Sequence, residues 1–159
     1  MREKGQTTVE FGIVAGLLLL VLFAVIDLAL LFYVNLTMQY AVSEGARYAV
    51  TGNSDLGTDR RSALIEKIRE CSHGLYDQNQ HDPKDPTISV VDDPVQIAYI
   101  GYSSNKVSGD PGKPGQIFIV SLTYSWRLLT PLIRPFFPNG EYTFTVKSTM
   151  RNEQFPTTP

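Results

Sequence analysis

An apolar run of 24 residues, from Phe11 to Val34 and interrupted only by the charge of Asp27, has to be removed from water. As an α-helix it is about 36 Å long, which is enough to cross a hydrocarbon layer of about 30 Å. The run is preceded by Arg2 and Lys4. Because basic residues stay on the cytoplasmic side, the sequence predicts one inner-membrane span with a cytoplasmic N-terminus and an extracytoplasmic remainder.

A cleaved secretory signal peptide is the alternative interpretation of this run. The apolar part of a signal peptide is about 7–15 residues long and ends near a small-residue cut site. Here Phe11–Ile26 already gives 16 apolar residues, and Ala41-Val42-Ser43 lies far beyond the usual place of cleavage. The length of the run therefore favours a retained span.

The helical pattern continues past the membrane. Residues 35–50 contain no proline, and Thr51-Gly52-Asn53-Ser54 is a typical stop signal. One helix from Thr7 to Thr51 is about 67 Å long. Its outer third has to be buried by the rest of the chain, because it carries a set of apolar side chains: Tyr40, Ala41, Tyr48, Ala49 and Val50.

Glu10 has two compatible interpretations. Thr7-Thr8-Val9-Glu10 fits a capping box in which Thr7 is the N-cap and Glu10 reaches back to a backbone N–H. The second interpretation requires a cut after Gly5, which gives Gln6 a free α-amine. Glu10 of one subunit then neutralises this amine on a neighbour, and pairing in a water-poor environment fixes the register between subunits.

Three further residues of the run are candidates for helix packing. Gly12 and Gly16 form a G-x-x-x-G pair, which lets two helices approach closely but also occurs by chance in apolar segments. Asp27 lies about 24 Å beyond Phe11, nearer the outer interface than the midplane. It either lies close to headgroups, or is protonated and hydrogen-bonded there, or it makes a polar contact with a neighbouring helix or an assembly-platform protein.

Beyond the helix, the pattern predicts a small α+β domain. Arg60–Cys71 reads as an amphipathic helix with Leu64, Ile65 and Ile68 on one stripe and Thr58 or Asp59 as its cap. The predicted strands are 87–91, 95–102, 116–126 and 141–151, with surface loops at 73–86 and 103–115. One polar face on the last strand favours an antiparallel sheet that the two helices cover on one side.

The connector from Leu128 to Pro138 is unusually apolar, yet its three prolines exclude a long helix. One interpretation is a lid over one end of the sheet. The other is a docking surface for another subunit or for the membrane surface. The residues of this candidate surface are Leu128, Leu129, Leu132, Ile133, Phe136 and Phe137.

Composition gives little support to catalysis or to nucleic-acid binding. The formal net charge is −2 and no basic patch is present. Cys71 is the single cysteine, and with His73, His81, Asp82 and Asp85 it matches no recognised metal-ligand spacing. No nucleophile-elbow, P-loop or H-E-x-x-H sequence occurs, so we expect no enzyme, no metal and no cofactor.

Several of these residues together resemble a known family. Gly5-Gln6-x-x-Val9-Glu10-Phe11, the apolar run with Asp27, and Ala41-x-x-x-Gly45-Ala46-Arg47-Tyr48-Ala49 resemble the TadE-like pseudopilins of tight-adherence (type IVc) pilus systems. Residues 118–131 and 142–153, which close on Met150-Arg151-Asn152-Glu153, are similar to the strand-rich end of that family. Residues 53–115 show no such similarity.

The resemblance implies a pilin-like fold and a processed subunit. Prepilin peptidase would cut between Gly5 and Gln6, which divides the chain into a leader (1–5), an assembly helix (6–52) and an extracytoplasmic domain (53–159). Glu10 would be the position-five carboxylate of the mature protein. The wider type IV pilin pattern has Phe at the position of Gln6. The resemblance therefore does not predict whether the new N-terminus is methylated.

The resemblance also implies the partners. The chain would be a minor subunit that acts in pilus assembly, initiation or surface adhesion, or in a related secretion machine. It would contact membrane lipid, other minor and major pilins, and the inner-membrane assembly platform with its ATPase. The rival is a permanently anchored single-span protein whose outer domain binds a partner and never assembles.

Overall fold

The computed structural model describes residues 3–91, 106–131 and 133–155 of the chain. Within these ranges there are two α-helices, α1 (Glu3–Val50) and α2 (Arg60–Cys71). They are followed by the strands β1 (Thr87–Val91), β2 (Lys106–Ser108), β3 (Ile117–Arg127) and β4 (Glu141–Arg151), in the sheet order β2-β1-β3-β4. The α+β arrangement expected from the sequence is confirmed.

Helix α1 ends at Val50, where the stop signal was expected. Gly52 adopts φ +76° and donates its N–H to the carbonyl of Ala49 at 3.1 Å. A residue with a side chain is strained at this φ, so the glycine ends the helix. The helix starts at Glu3, and the predicted N-cap role of Thr7 is therefore wrong in the uncut chain. Residues 3–6 contain no proline, and the helix tolerates the single Gly5, so these residues extend it.

Helix α2 has the predicted bounds and cap. The carboxylate of Asp59 accepts from the backbone N–H of Ser62 at 2.8 Å, and the Ser62 hydroxyl accepts from the N–H of Asp59 at 3.0 Å. This reciprocal pair satisfies donors that the first turn leaves free. The expected stripe is buried at Leu64 and Ile68, while Ile65 is half-buried.

The described strands form an antiparallel sheet. Strand β1 pairs with β3, where Ile88 lies opposite Val120, and with β2, where Ser89 lies opposite Val107. Hydroxyl contacts of Thr123 with Thr145 and of Ser125 with Thr143 run in opposite chain directions, as an antiparallel β3–β4 pair requires.

Two predictions for the sheet need comment. The strand predicted at 95–102 lies outside the described residues. The loop predicted at 103–115 is wrong for Lys106–Ser108, which form β2. The glycines and prolines that suggested a loop fall after this segment, so they gave no signal about the short edge strand itself.

The chain divides into two compact units. One consists of Val34–Trp126 and Thr143–Pro159 and contains a core that α1, α2 and the sheet share. The outer third of α1 contributes its small side chains to this core, as predicted for Ala41 and Ala49, whereas Tyr40 is exposed and that part of the prediction is wrong. The core side chains of β3 alternate along the strand: Phe118, Val120, Leu122 and Tyr124.

The other unit consists of the chain up to Tyr33 together with Arg127–Tyr142. It combines the membrane-length part of α1 with the connection between β3 and β4. We call residues 128–138 of this connection the proline loop. Two 3₁₀ turns, Arg134–Phe136 and Pro138–Gly140, shape it and its exit. Their prolines fit the first turn, whereas prolines repeated every three or four residues exclude a longer α-helix.

Candidate assembly and membrane-contact site

The N-terminal half of α1 is apolar around its whole circumference and has few contacts within the chain. Phe11 is 72% exposed and Leu17 is 64% exposed, and only 6% of the most apolar 18-residue window, with a mean hydropathy of 2.9, is buried. A helix that is apolar all round belongs in a membrane or inside an assembly. Its length and composition are compatible with a single-pass membrane protein.

Gly12 and Gly16 lie on this uncovered surface. A Cβ atom added at either glycine would meet no atom within 4 Å. The two residues are about 6 Å apart along the axis and leave a flat strip of backbone. Nothing in the described part of the chain occupies this strip, so a second helix can approach it closely.

Gln6 and Glu10 are in contact at the start of the same helix. The side-chain Nε2 of Gln6 donates to Oε1 of Glu10 at 3.0 Å, and both residues are exposed. Four-residue spacing places the two side chains on one face, which is a signal that sequence reasoning had not used here. Gly5 lies in the helix as well, so the Gly5–Gln6 bond is helical in the uncut chain.

Asp27 has its hydrogen-bond partners within its own chain. Its Oδ1 accepts from the backbone N–H of Leu129 and its Oδ2 from that of Thr130, both at 3.1 Å. The residue is 4% exposed. One carboxylate thus satisfies two consecutive backbone donors of the proline loop, a contact across about 100 residues that no local pattern indicates.

The proline loop divides its apolar side chains between inside and outside. Leu128 is buried, and Ile133 and Phe137 are half-buried, with the ring of Phe137 edge-on to Tyr142 at 6.2 Å between centroids. Leu129 and Phe136 project outward and are 62% and 83% exposed. Leu132 lies outside the described residues. Of the predicted docking residues, the loop therefore presents Leu129 and Phe136 to its surroundings.

Arg60 is a structural hub that sequence reasoning missed. Its guanidinium donates to the carbonyl of Ala49 at 2.7 Å, to Oδ1 of Asn152 at 3.2 Å and to the carbonyl of Gly112, and it lies over the ring of Phe155. Burial lowers the pKa of Arg60, and the charge of Asp110 opposes this shift. The hub ties the end of α1 to the chain that follows β4.

Asn152 completes this hub from the C-terminal side. Its side-chain amide donates to the carbonyls of Pro111 and Lys113 at 2.8 and 2.9 Å, and the backbone N–H of Glu153 donates to the carbonyl of Val50 at 3.1 Å. The only sequence signal was the Met150–Glu153 motif, which gave no indication of a partner at Arg60.

Within residues 3–91, 106–131 and 133–155, the remaining titratable groups show no arrangement typical of a metal site. Cys71 is half-buried on α2, and burial raises the pKa of its thiol. Among the described residues, no three His, Cys, Asp or Glu side chains converge as metal ligands would.

The comparison with known proteins bears on α1. Residues 5–47 match the family of TadE-like proteins. No curated protein and no solved structure matches the chain. The matched segment includes the exposed apolar half of α1, its Gln6–Glu10 contact and most of its buried outer third. The long N-terminal helix of this chain is therefore similar to that of TadE-like proteins, and the match does not extend beyond residue 47.

Proposed function

We propose that the chain is a minor, pilin-like subunit of a Tad (type IVc) pilus or a related secretion machine. It is inserted in the inner membrane with its N-terminus in the cytoplasm, trimmed between Gly5 and Gln6, and transferred from lipid into an assembly. The observation that carries the proposal is the family match over a helix whose apolar first half is left largely exposed by the described chain. The proposal includes no catalytic step.

The uncovered surface explains how one helix serves two environments. Lipid satisfies the apolar side chains of residues 9–33 before assembly, and sister helices replace the lipid afterwards. Because lipid tails are as apolar as leucine, close packing rather than the hydrophobic effect decides whether helices associate. The open strip at Gly12 and Gly16 supplies this close approach.

Glu10 supplies the polar contact in this mechanism. After the cut, Gln6 carries both a new α-amine and the amide that already contacts Glu10 in the uncut chain. In the assembly, Glu10 accepts from the amine of a neighbouring subunit and loses the water that solvates it in the free chain. An unpaired carboxylate is costly in apolar surroundings, so only the paired register is stable.

The extracytoplasmic domain provides specificity in this proposal. It retains the outer third of α1 in its own core, so the preceding part of the helix is available to partners. Contacts of its outer surface with other minor subunits or with a target surface then direct initiation of the pilus and adhesion. The peptidase, the assembly platform and its ATPase act on the precursor and on the helix, not on this domain.

Glu10→Ala tests the proposal, with Glu44→Ala as the matched control. Both changes remove a carboxylate from α1, but Glu44 lies in the outer third and forms a 3.5 Å ion pair with the exposed Arg47. We expect normal membrane insertion of both variants, and a loss of about tenfold or more in pilus-associated protein for Glu10→Ala alone, since one unpaired charge costs more than 1.4 kcal/mol in such surroundings.

The outcomes separate the proposal from its rival. Normal incorporation of Glu10→Ala would remove Glu10 from the mechanism. A wild-type chain that stays in the membrane fraction of piliated cells and never enters pili would favour the permanently anchored protein. A bulky substitution at Gly5 should block processing, and continued cleavage there would contradict the assigned site.

A further inference from the structure

We propose that the proline loop is inserted in the outer-leaflet interface of the bilayer that holds α1, and that Asp27 fastens it there. Leu129 and Phe136 are the side chains that enter the lipid. The inference requires the membrane span of α1 but not cleavage or pilus assembly. It therefore stands or falls separately from the proposed function.

The depth of the loop follows from its contact with α1. Asp27 lies about 24 Å beyond Phe11 along a helix that crosses a layer of about 30 Å, which places it near the outer boundary of the hydrocarbon. Its carboxylate accepts from Leu129 and Thr130, so these residues lie at the same level. The loop belongs to the same compact unit as the first 33 residues of the chain.

The polar backbone of the loop is largely satisfied without water. The N–H groups of Ile133, Arg134, Phe136 and Phe137 donate to carbonyls inside the loop. Pro131, Pro135 and Pro138 have no N–H to satisfy. Irregular backbone enters a membrane only where its polar groups have partners, and these N–H groups of the described loop residues meet that condition.

The N–H groups of Leu129 and Thr130 find their acceptor outside the loop, in the carboxylate of Asp27. The carbonyls on the same turn are satisfied by Arg134, whose Nε donates to Leu128 at 2.8 Å and whose guanidinium donates to Leu129 at 3.3 Å. Asp27 thus binds the N–H groups, and Arg134 the carbonyls, of one short backbone segment. This explains why a carboxylate at membrane depth is retained and buried, since it pairs with backbone donors instead of facing lipid.

The exposed apolar side chains indicate that lipid surrounds the tip of the proline loop. Phe136 and Leu129 are exposed on the loop, and Phe23, Ile26 and Leu28 are exposed on α1 on either side of Asp27. The loop and the helix therefore present apolar side chains at one level, where the bilayer is already present around α1. Arg127 is exposed at the base of the loop, where its charge complements lipid phosphates.

A depth measurement on the full chain tests this inference. The chain, in a Cys71→Ser background, is reconstituted in vesicles of phosphatidylcholine and phosphatidylglycerol, and single cysteines carry an environment-sensitive fluorophore. The probe sites are Phe136→Cys on the loop, Thr149→Cys on the exposed face of β4 as the water reference, and Phe23→Cys as the lipid reference. Quenching by a lipid with a nitroxide near its headgroup should be several-fold stronger at 136 than at 149.

The same measurement with Asp27→Ala tests the role of the carboxylate. We expect the probe at 136 to lose most of its quenching while the probe at 23 keeps its own, because the helix stays inserted and the loop is released. Unchanged quenching at 136 in this variant would overturn the role of Asp27.

Two other outcomes would contradict contact of the proline loop with lipid. Quenching at 136 equal to that at 149 would mean that the loop lies in water. A blue-shifted probe at 136 that lipid does not quench would mean that protein covers it, as in docking of a second subunit. Neither result would affect the cleavage and pilus experiments on Gly5 and Glu10.

Discussion

At the scale of single residues, buried polar groups explain more of this structure than charge pairs on its surface. The ion pairs of α2, such as Lys67 with Glu70, are exposed and contribute little. Arg60, Asn152 and Asp27 instead satisfy backbone groups that no helix or strand satisfies. Removing one member of such a set leaves a buried partner unsatisfied, which is the expensive case.

Arg60 gives the first prediction. Arg60→Ala removes the donor to the carbonyl of Gly112 and to Oδ1 of Asn152, and it leaves the carbonyl of Ala49 with the N–H of Gly52 alone. We expect a loss of about 2–3 kcal/mol in the free energy of unfolding, measured by denaturant titration of the full chain in detergent. Arg60→Lys should recover little, because one ammonium cannot reach three diverging acceptors.

Arg47→Ala is the matched control for this experiment. Arg47 is exposed and pairs only with Glu44 among the contacts described, so we expect a loss below about 0.5 kcal/mol. Equal losses in the free energy of unfolding for Arg47→Ala and Arg60→Ala would contradict the structural role of Arg60.

Tyr124 gives a prediction for alkaline pH. Its hydroxyl is buried and donates to the carbonyl of Leu75 at 2.8 Å, and burial raises its pKa to about 12. The unfolded chain releases this proton near pH 10 while the folded chain keeps it, so stability is complete below pH 10 and falls as the pH rises towards 12.

The matched variant is Tyr124→Phe. It should be about 1 kcal/mol less stable at pH 8 and should lose less stability than the wild type between pH 10 and 12. Some loss remains, because burial also raises the pKa of Tyr76. Parallel stability curves for the two proteins across this pH range would refute the assignment. The measurement is denaturant unfolding at a series of pH values.

At the scale of elements, α1 consists of two halves with different surroundings but one backbone. Gly45 in the outer half is covered by α2: an added Cβ would lie 2.5 Å from Cγ1 of Ile68 and 3.2 Å from the carbonyl of Leu64. Gly12 in the inner half has open space. Glycine therefore has an intrachain role in the outer half, and in our proposal it has a role for partners in the inner half.

Alanine at these two glycines separates the roles. Gly45→Ala forces α1 and α2 apart and should destabilise the chain by about 1–3 kcal/mol. Gly12→Ala should leave stability unchanged or slightly improved, because alanine favours helix, and yet should reduce the protein recovered in pili. Detergent unfolding and pilus fractionation measure the two effects. Destabilisation by Gly12→Ala would contradict the open surface.

The elements also show how far sequence reasoning reaches. The bounds of α2 and β4 and the end of α1 follow from local signals: Asp59 as a cap, strict alternation at 141–151, and Gly52 as a stop. The contacts of Asp27 with Leu129 and of Arg60 with Asn152 join residues about 90 to 100 positions apart. No periodicity or capping rule encodes such distant contacts, so they could not be predicted from the sequence.

The position of β2 shows a second limit. Lys106–Ser108 is three residues long, too short for alternation to be recognised, and only its pairing with β1 defines it as a strand. Tyr40 shows another limit of prediction, because the outer part of α1 was expected to be covered on all sides. Side-by-side residues on a helix point about 100° apart, so Ala41 is buried while Tyr40 is exposed.

At the scale of the whole molecule, the chain combines a folded outer domain with a helix that is incomplete by itself. The outer domain has its own core, whereas the apolar half of α1 depends on lipid or on sister helices. In our proposal, processing at Gly5 commits the chain to assembly, because it creates the amine that Glu10 pairs with. The N-terminus of the mature chain is therefore the most direct report on that proposal.

The deciding measurement is the intact mass of the chain recovered from cells with an active prepilin peptidase, compared with the chain from cells without it. We predict a mature protein that begins at Gln6 in the first case and at Met1 in the second. A chain that keeps Met1 in both would contradict processing and, with it, the assembly of this helix into a pilus.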